Sequence, residues 1–429
     1  MRLVTLFAKN IVILKLKKEG KKEKYNKEMK ILVLNCGSSS IKYQLIDIQG
    51  ENESKLLAKG VCERVGLEMG EFTHKPQGKD KHYEKVPIPT HKAGIAMVLN
   101  ALTDKQMGVI DSLNEIEACG HRVAHGGEIF TKSVIIDEKV KQHIKSLEPL
   151  APLHTPANLA GIEAMEHLLP NKPQVAVFDT AFHHTMPAKA YLYGLPIKYY
   201  EKDRVRRYGF HGTSHRYVAP KAAKMCGIDI NNSKIISCHL GSGASVAAIL
   251  NGKSVDTSMG FTTVEGLVMG SRCGDIDTGA VLYIGQKEGW SLDRLNKFIT
   301  KECGLNGLTE GVTDMRDIMA GKREGNQKLS DAFDVFAYRV KKYIGSYAAA
   351  MGGVDIILFT GGIGENAWWQ REAISEGLEF LGAKIDKKVN EETVATDGII
   401  STPDSKVKLV AVTTDEEYVI AKDTYDLCK

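Results

Sequence analysis

The sequence predicts an α/β protein of two domains that is internally duplicated, and two observations carry this prediction. A strand, a turn of small polar residues and a second strand occupy residues 31–47, and the same unit returns at residues 234–250. After each unit, strands alternate with amphipathic stretches at helical spacing, as in proteins whose helices pack on a sheet. We expect a cleft between the two halves, with one of these hairpins on each side.

Length and charge agree with two ordered domains, which we place at residues 29–179 and 180–415. The chain has 429 residues, 43% of them hydrophobic. A chain of this length ordinarily forms more than one hydrophobic core. The formal net charge is +4, but residues 1–28 contain nine Lys or Arg and three Glu. The remainder is therefore slightly acidic, which argues against nucleic-acid binding. We interpret residues 1–28 as a basic, dispensable extension, too short and charged to span a membrane and lacking a clear signal-peptide cleavage site. A membrane-surface helix is the alternative.

The eight cysteines are scattered along the chain and form no C-x-x-C pair. This spacing predicts neither a disulfide framework nor a zinc site, and it is typical of a reduced, cytoplasmic protein.

The turn Asn35–Ser40 combines Asn, Gly and three Ser, which offer backbone N–H groups without bulk. A close approach to phosphate requires such a turn, and Lys42 adds a positive charge just beyond it. Alone, this would be an ordinary hairpin. Because a similar turn occurs at His239–Ser245, in the same local context, we interpret both as phosphate loops.

Two arginines lie in glycine-flanked loops, Arg122 in GHRVAHGGE and Arg272 in GSRCGDID. A planar guanidinium can hold a carboxylate or a transferring phosphoryl group. His211 lies in another such loop and is the histidine that we expect to be functional. Acidic residues at strand ends or helix starts are candidate Mg²⁺ ligands; they are Asp179, Asp314 and Glu416 or Glu417.

Other nucleotide-binding patterns fit less well. Gly362-Ile-Gly364-Glu-Asn-Ala367 matches a relaxed dinucleotide fingerprint, but it comes late in the chain. We interpret it as a strand-to-helix turn against which adenosine lies. An NAD-dependent enzyme would leave the two hairpins and the arginine pair unexplained. Residues 247–254 resemble a P-loop, but Ala247 replaces its first glycine and Asn251-Gly252 predicts a hairpin turn. There is no G-x-S-x-G hydrolase motif.

Through these residues and the segments that contain them, the chain resembles the acetate kinase family, which belongs to the acetate and sugar kinase, heat-shock ATPase and actin superfamily. Eleven segments carry the resemblance, in order from about Lys30 to the C-terminus: LVLNCGSSSIKYQLID, GHRVAHGGE, PLHTPAN, VFDTAFH, YGFHGTSH, CHLGSGAS, VDTSMGF, EGLVMGSRCGDID, GVTDMRDI, FTGGIGEN and TTDEEYVIA.

The resemblance implies an actin-like ATPase (ribonuclease H-like) fold and a cytoplasmic homodimer that binds neither nucleic acid nor membranes. It implies direct in-line, reversible phosphoryl transfer from ATP to acetate with Mg²⁺, or with Mn²⁺, giving acetyl phosphate and ADP. In the family fold, the final helix, about residues 416–429, packs back on the N-terminal domain. An actin-like or chaperone-like ATPase is the non-metabolic alternative, but such a protein has no need for Arg122 and Arg272.

The resemblance also assigns roles to individual residues. The catalytic set is Asp179, Arg122, Arg272 and His211, with His211 and Arg272 as transition-state stabilisers. The metal residues are Asn35 and Glu416. The acid pocket comprises Arg122, Ala124, Leu153, Phe210 and Thr263. The ATP-binding residues are Ser40, Lys42, His239, Leu240, Gly241, Ser242, Gly243, Asp314, Met315, Arg316, Gly362, Ile363, Gly364, Glu365 and Asn366.

Three residues depart from the family pattern. Ser242 stands where Asn is common, which puts the nucleotide contacts in doubt. Ala124 stands where Val is usual and Thr263 where Pro is usual, both at acid-pocket positions. Since a methylene in an apolar pocket is worth about 1–3 kcal/mol, we expect Ala124 to leave room for propionate.

Overall fold

Two β-sheets organise the protein, and each belongs to one of two compact units. The computed structural model describes residues 28–50, 53–152 and 154–429. The first unit contains the described residues up to His125, together with Lys132–Phe178 and Glu417–Lys429. The second contains Gly126–Thr131 and Asp179–Glu416. The predicted extension (up to residue 27) and the predicted acid-pocket residue Leu153 lie outside the described residues, and the boundary predicted after Asp179 stays a prediction.

The first sheet has eight strands in the order β5-β4-β3-β2-β1-β6-β8-β7. Their bounds are β1 Met29–Cys36, β2 Ser40–Ile48, β3 Ser54–Glu63, β4 Gly70–Pro76, β5 His82–Val86, β6 Ile116–Val123, β7 Val134–Ile135 and β8 Gln174–Phe178. Strands β1 to β5 are antiparallel neighbours. Strand β6 pairs in parallel with both β1 and β8.

The second sheet has six strands in the order β11-β10-β9-β12-β14-β13. Their bounds are β9 Lys234–Leu240, β10 Ala244–Leu250, β11 Lys253–Thr257, β12 Ile356–Thr360, β13 Gly398–Ile399 and β14 Lys408–Ala411. The turn between β10 and β11 has positive φ at Asn251 (51°) and Gly252 (75°), which confirms the predicted type I′ hairpin.

Comparison of the two strand orders confirms the predicted duplication. The first sheet contains β3-β2-β1-β6-β8 and the second contains β11-β10-β9-β12-β14. In each, three antiparallel strands in sequence are followed by two strands that join in parallel on the other side of the first. Each half therefore has the same core topology, with its hairpin at the same place in the sheet.

The helices cover both faces of each sheet, which explains why the central strands are nearly continuous apolar runs. The helices are His91–Thr103, Glu138–Ser146, Thr155–Leu168, Ala188–Tyr191, Lys198–Asp203, Gly212–Met225, Thr278–Lys287, Leu292–Lys297, Gly304–Thr309, Met315–Arg323, Gln327–Met351, Gly361–Asn366, Trp368–Ser375, Lys387–Glu392 and Glu416–Cys428. Among the described residues, no helix is long and apolar enough to cross a membrane.

The final helix is part of the first unit's core. Its residues Ile420 and Tyr425 are buried against β1, β6 and β8. A Cβ atom added to Gly120 of β6 would lie 2.5 Å from the Thr424 hydroxyl and 2.6 Å from the Ile420 side chain. Glycine is therefore required where the helix crosses the sheet.

One long helix predicted from the sequence is wrong in its second half. The pattern predicts a helix over 91–118, but the helix ends at Thr103 and β6 begins at Ile116. The Asp104 carboxylate accepts hydrogen bonds from the backbone N–H groups of Gln106 (2.8 Å) and Met107 (3.0 Å). This local turn competes with the helix at its C-terminus.

Candidate active site

The first small-residue turn is shorter than predicted because the strands around it are longer. Strand β1 runs to Cys36 and β2 begins at Ser40. Asn35 lies directly opposite Lys42 in the antiparallel ladder. The predicted metal residue and the predicted phosphate-binding lysine are thus cross-strand neighbours.

Asn158 connects this turn to the strand that carries Arg122. Its side-chain amide donates a hydrogen bond to the Cys36 carbonyl oxygen (2.8 Å), and its amide oxygen accepts one from the Ala124 N–H (3.1 Å). Asn158 is buried, and it lies in the helix Thr155–Leu168. One side chain therefore holds both the first turn and Ala124, the predicted acid-pocket position, in the first unit.

The second turn lies in the second unit, between β9 and β10. His239 pairs with Ser245 and Leu240 with Ala244, so the turn is residues 241–243. Gly361, at the start of the predicted adenosine turn, has φ 75°, and a Cβ atom there would lie 2.7 Å from the Leu240 carbonyl oxygen. The glycine thus allows the two predicted nucleotide-binding turns to meet.

His211 and His239 form a stacked pair beside this turn. Their ring centroids are 4.2 Å apart with an interplanar angle of 25°. His211 Nδ1 lies 3.0 Å from the Ser245 hydroxyl, and His239 Nδ1 lies 2.8 Å from the Ser214 hydroxyl. His211 has left-handed backbone angles, φ 54° and ψ 23°, which are uncommon for a residue other than glycine and typical of functional sites.

Arg272 also approaches this turn. Its Nη1 donates to the Thr263 carbonyl oxygen (3.2 Å) and to the Met269 thioether (3.4 Å). A Cβ atom added to Gly243 would lie 3.5 Å from both Arg272 Nη1 and His211 Nε2. Burial lowers the pKa of the Arg272 guanidinium, but arginine remains charged. A cation and an imidazole thus converge on the turn, as anion binding requires.

Asp179 follows β8 directly and is buried. Its carbonyl oxygen accepts a hydrogen bond from the Gly212 N–H at 2.9 Å. A Cβ atom at residue 212 would lie 2.2 Å from that oxygen. The predicted acid-pocket residue Phe210 accepts a hydrogen bond on its carbonyl oxygen from His183 Nε2 at 3.0 Å. The segment that carries His211 is therefore fixed by hydrogen bonds on both sides.

A cavity of about 770 Å³ opens beside the second turn. The predicted ATP-binding residues among those that line it are Gly241, Ser242, Asp314, Met315, Arg316, Gly362, Ile363 and Asn366. Trp368 and Trp369 also line the cavity, and their apolar rings suit a flat heterocycle. The predicted ATP-binding residues that do not line it are Ser40, Lys42, His239, Leu240, Gly243, Gly364 and Glu365.

Two acidic side chains of this region are occupied by neighbouring donors. Asp314 forms a two-pronged ion pair with Arg316 (2.6 Å at the shorter contact) and caps the following helix. The hydrogen bond from Arg316 lowers the pKa of Asp314 to about 2. Glu365 accepts from the N–H groups of Gly361 and Thr414, each at 3.0 Å. It therefore holds together the predicted adenosine turn and the segment just before Glu416.

The predicted metal residues have suitable donor chemistry. Asn35 offers an amide oxygen and Glu416 a carboxylate, and Mg²⁺ prefers one or two such oxygens with the rest supplied by water and phosphates. In the described part of the chain, no group of three or more His, Cys, Asp or Glu could hold a metal ion. Each of the two residues thus offers an oxygen donor of the kind that Mg²⁺ prefers.

Sequence reasoning did not single out several residues that shape the site. The Ser245 hydroxyl, which the sequence placed only at the end of the second predicted phosphate loop, contacts His211. His215 and Ser237 continue this contact into the sheet, and the two tryptophans line the cavity beside the second turn. His215 lies four residues after His211, so helical spacing could have paired them. The serines are on separate strands, and only the sheet register brings them together.

The chain matches one family along nearly all its length. The sequence profile of the Acetokinase family matches residues 30–422. The chain is 53% identical over 399 residues to an acetate kinase from Agathobacter rectalis, covering 93% of this chain and 100% of that protein. It is 53% identical over 401 residues to an acetate kinase from Thermotoga maritima, covering 93% and 98%.

Solved structures agree with these sequence matches. The crystal structure of Porphyromonas gingivalis acetate kinase has a TM-score of 0.89 and 45% identity, covering 94% of this chain and 100% of that one. The crystal structure of a propionate kinase from Francisella tularensis has a TM-score of 0.86 and 38% identity, covering 93% and 100%.

Proposed function

The chain belongs to the acetokinase family, and from that premise we propose that it is an ATP:acetate phosphotransferase. It transfers the γ-phosphoryl group of ATP to acetate, reversibly, giving acetyl phosphate and ADP. The observation that carries the proposal is the convergence of Arg272 and His211 on Gly243, beside a cavity lined by two tryptophans.

The chemistry is a direct in-line displacement. A carboxylate oxygen of acetate attacks the γ-phosphorus, and the bond from that phosphorus to the β–γ bridging oxygen breaks, so ADP leaves with the electron pair. Arg272 and the imidazole of His211 donate to the equatorial oxygens, where negative charge spreads in the transition state. The acetate carboxylate is already a nucleophile and needs no general base. Asp179 orients the site, and Arg122 holds the acetate carboxylate.

We propose that the divalent cation is Mg²⁺ and that Mn²⁺ can substitute for it. Asn35 and Glu416 would hold it through oxygen atoms. When bound, it neutralises charge on the nucleotide phosphates.

Acyl phosphate formation provides the direct test. The full-length protein is incubated with ATP, Mg²⁺ and acetate, and acyl phosphate is trapped with hydroxylamine as the hydroxamate. Hydroxamate formation that depends on ATP, Mg²⁺ and acid supports the proposal. ATP hydrolysis without hydroxamate for any short carboxylic acid would instead indicate an actin-like or chaperone-like ATPase.

Propionate is the second candidate substrate, and Ala124 is the observation that favours it. The backbone of Ala124 is held by Asn158 (3.1 Å), so a smaller side chain there enlarges the acid pocket without loosening its wall. We expect Ala124→Val to lower kcat/KM for propionate relative to acetate by about 10-fold or more, as the loss of room for one methylene predicts.

The measurement is a steady-state acid panel from formate to butyrate on the parent and on Ala124→Val. Thr263→Pro, which restores the usual family residue at the other departing position, is the control for a general change in the pocket. A propionate-to-acetate ratio that is the same in the parent and in Ala124→Val would remove Ala124 as a determinant of acid size.

The proposal includes a cytoplasmic homodimer. The helix Thr278–Lys287 has an apolar sequence, and its Leu282 and Tyr283 are 55% and 66% exposed. Exposed apolar side chains on one helix favour a protein contact. Sedimentation of the parent and of a Leu282→Glu/Tyr283→Glu variant tests it: the parent should sediment as a dimer and the variant as a monomer.

A further inference from the structure

A chain of three hydrogen bonds reaches His211 from inside the second sheet. The Ser237 hydroxyl on β9 lies 2.8 Å from His215 Nδ1, and His215 Nε2 lies 2.8 Å from the Ser245 hydroxyl on β10. The same Ser245 hydroxyl lies 3.0 Å from His211 Nδ1. Ser237, His215 and Ser245 are each fully buried, with no exposed side-chain surface.

The donors and acceptors of this hydrogen-bond chain can all be paired in one direction only. A serine hydroxyl carries one proton, and a neutral imidazole carries one N–H and one acceptor nitrogen. The only side-chain hydrogen bond that Ser237 forms in the described part of the chain is the one to His215. If His215 Nδ1 donated to Ser237, the buried Ser237 proton would have no acceptor, which is costly. Ser237 therefore donates to His215 Nδ1.

The remaining protons follow from this first donor. With Nδ1 as the acceptor, the proton of neutral His215 lies on Nε2 and is donated to the Ser245 oxygen. Ser245 then donates its own proton to His211 Nδ1. Burial, with neighbouring histidines, lowers the pKa of His215 well below its usual value, consistent with a neutral ring. The proton of a neutral His211 must consequently be on Nε2.

A second serine–histidine pair in the same unit has the same direction. Ser254 lies 2.8 Å from His183 Nδ1, and His183 Nε2 lies 3.0 Å from the Phe210 carbonyl oxygen. Because a carbonyl oxygen can only accept, His183 donates from Nε2 and accepts from Ser254 at Nδ1. This pair fixes the backbone before His211, whereas the Ser237 chain reaches the ring of His211.

We propose that Ser237, His215 and Ser245 are positioning residues that hold His211 as the Nε2–H tautomer. The Nε2 atom lies beside Gly243 and Arg272 Nη1, so this tautomer presents an N–H, not a lone pair, where phosphoryl oxygens are proposed to bind. The opposite tautomer would place a lone pair against those anionic oxygens. The role of this N–H rests on the proposed function, but the tautomer itself does not.

The test reads the tautomer directly, in the full-length protein without substrates. Long-range ¹H–¹⁵N correlation spectra of protein labelled with ¹⁵N-histidine distinguish Nε2–H from Nδ1–H rings, and His211→Gln identifies the His211 signals. In the parent, we expect His211 as Nε2–H. In Ser237→Ala and Ser245→Ala, we expect a mixture of tautomers or the Nδ1–H form.

Ser254→Ala is the matched control, since it removes an equally buried serine that also donates to a histidine Nδ1. It should leave the His211 tautomer unchanged. We further expect Ser245→Ala to lower kcat about 10-fold, as loss of one oriented hydrogen bond predicts, with KM for ATP within about 2-fold.

The proposal is overturned by His211 in the Nδ1–H form in the parent, or by an unchanged tautomer in both Ser237→Ala and Ser245→Ala. An equal shift in Ser254→Ala would also overturn it, because a general loosening of the core would then explain the result. If Ser245→Ala fails to fold, the parent and Ser237→Ala spectra decide. Because these spectra need no turnover, they stand even if the acyl phosphate assay fails.

Discussion

At the scale of single residues, the missing side chain of Gly243 defines the centre of the candidate site. An added Cβ atom would be in van der Waals contact with both Arg272 and His211, so this space is open to a ligand oxygen. The guanidinium of Arg272 is anchored by a carbonyl oxygen and a thioether. Neither partner neutralises its charge, which therefore remains to act on an anion.

Arg272→Ala should lower kcat by about 10²–10³, because it removes a positioned charge that stabilises the transition state. Arg272→Lys should recover only part of the rate, since an ammonium group lacks the planar fork of arginine. Steady-state kinetics in both variants, with thermal unfolding as a check on folding, give the answer. An effect confined to KM for ATP would reassign Arg272 to nucleotide binding.

Sequence reasoning at this scale found the residues that carry charge or flank glycine and missed those that orient them. Arg272 and His211 were recognisable because each lies in a glycine-rich loop, and the resemblance then assigned their roles. Ser237 was not recognisable, because a serine in an apolar strand carries no signal of its own, and Ser245 was predicted only as the last residue of the second phosphate loop. Their function depends on a ladder register that pairs β9 with β10, which a single strand's sequence does not specify.

At the scale of elements, a side chain on a neighbouring helix holds each hairpin turn in place. In the first unit, Asn158 bridges the end of β1 and the residue after β6. In the second, Ser214, in the helix that begins at Gly212, holds His239 at the end of β9. The two small-residue turns are thus held in place by side chains of neighbouring helices and need not be rigid by themselves.

Asn158→Ala should lower the free energy of unfolding by about 1–3 kcal/mol, because the buried Cys36 carbonyl oxygen and the half-buried Ala124 N–H lose these partners. It should also raise KM for acetate, since Ala124 then loses its anchor. Asn158→Asp is the matched variant, because it keeps the acceptor for Ala124 and loses the donor to Cys36. Denaturant unfolding and acetate titrations measure both effects; a KM for acetate unchanged in both variants would limit Asn158 to stability.

The type of an element was predictable where its apolar pattern repeats over many residues, but the residues at which elements begin and end were not predictable. The sequence predicts a helix over 328–351 from an apolar face that repeats over about seven turns, and the helix found is Gln327–Met351. The helix predicted over 91–118 ended early because the Asp104 carboxylate captured two backbone N–H groups. The duplicated strand–turn–strand units were visible in the sequence, but the parallel joins of β6 to β1 and β12 to β9 link residues far apart and had no local signal.

At the scale of the whole molecule, buried neutral histidines make stability depend on pH. Burial lowers the pKa of His121 and of His183 to about 4 each, from 6.5. His121 lies in the first unit and His183 in the second. Each binds a proton in the unfolded chain at a pH where the folded protein does not, so both units should lose stability on acidification.

The free energy of unfolding should be nearly independent of these groups above pH 6.5 and should fall between pH 6.5 and pH 4. Each such histidine contributes a slope of up to about 1.4 kcal/mol per pH unit in this window. Denaturant unfolding at half-unit pH steps measures the slope, and His121→Gln should reduce it. The same slope in His121→Gln as in the parent would show that other groups cause the acid sensitivity.

The final helix has a consequence for synthesis of the protein on the ribosome. Its residues Ile420 and Tyr425 complete a core whose other members come from the first unit's sheet, yet the whole of Asp179–Glu416 is translated in between. At about 5–20 residues per second, roughly 10 to 50 s pass before the helix can emerge. During that time, one apolar face of the completed first sheet is not covered by the final helix. We therefore expect the nascent first half to bind chaperones.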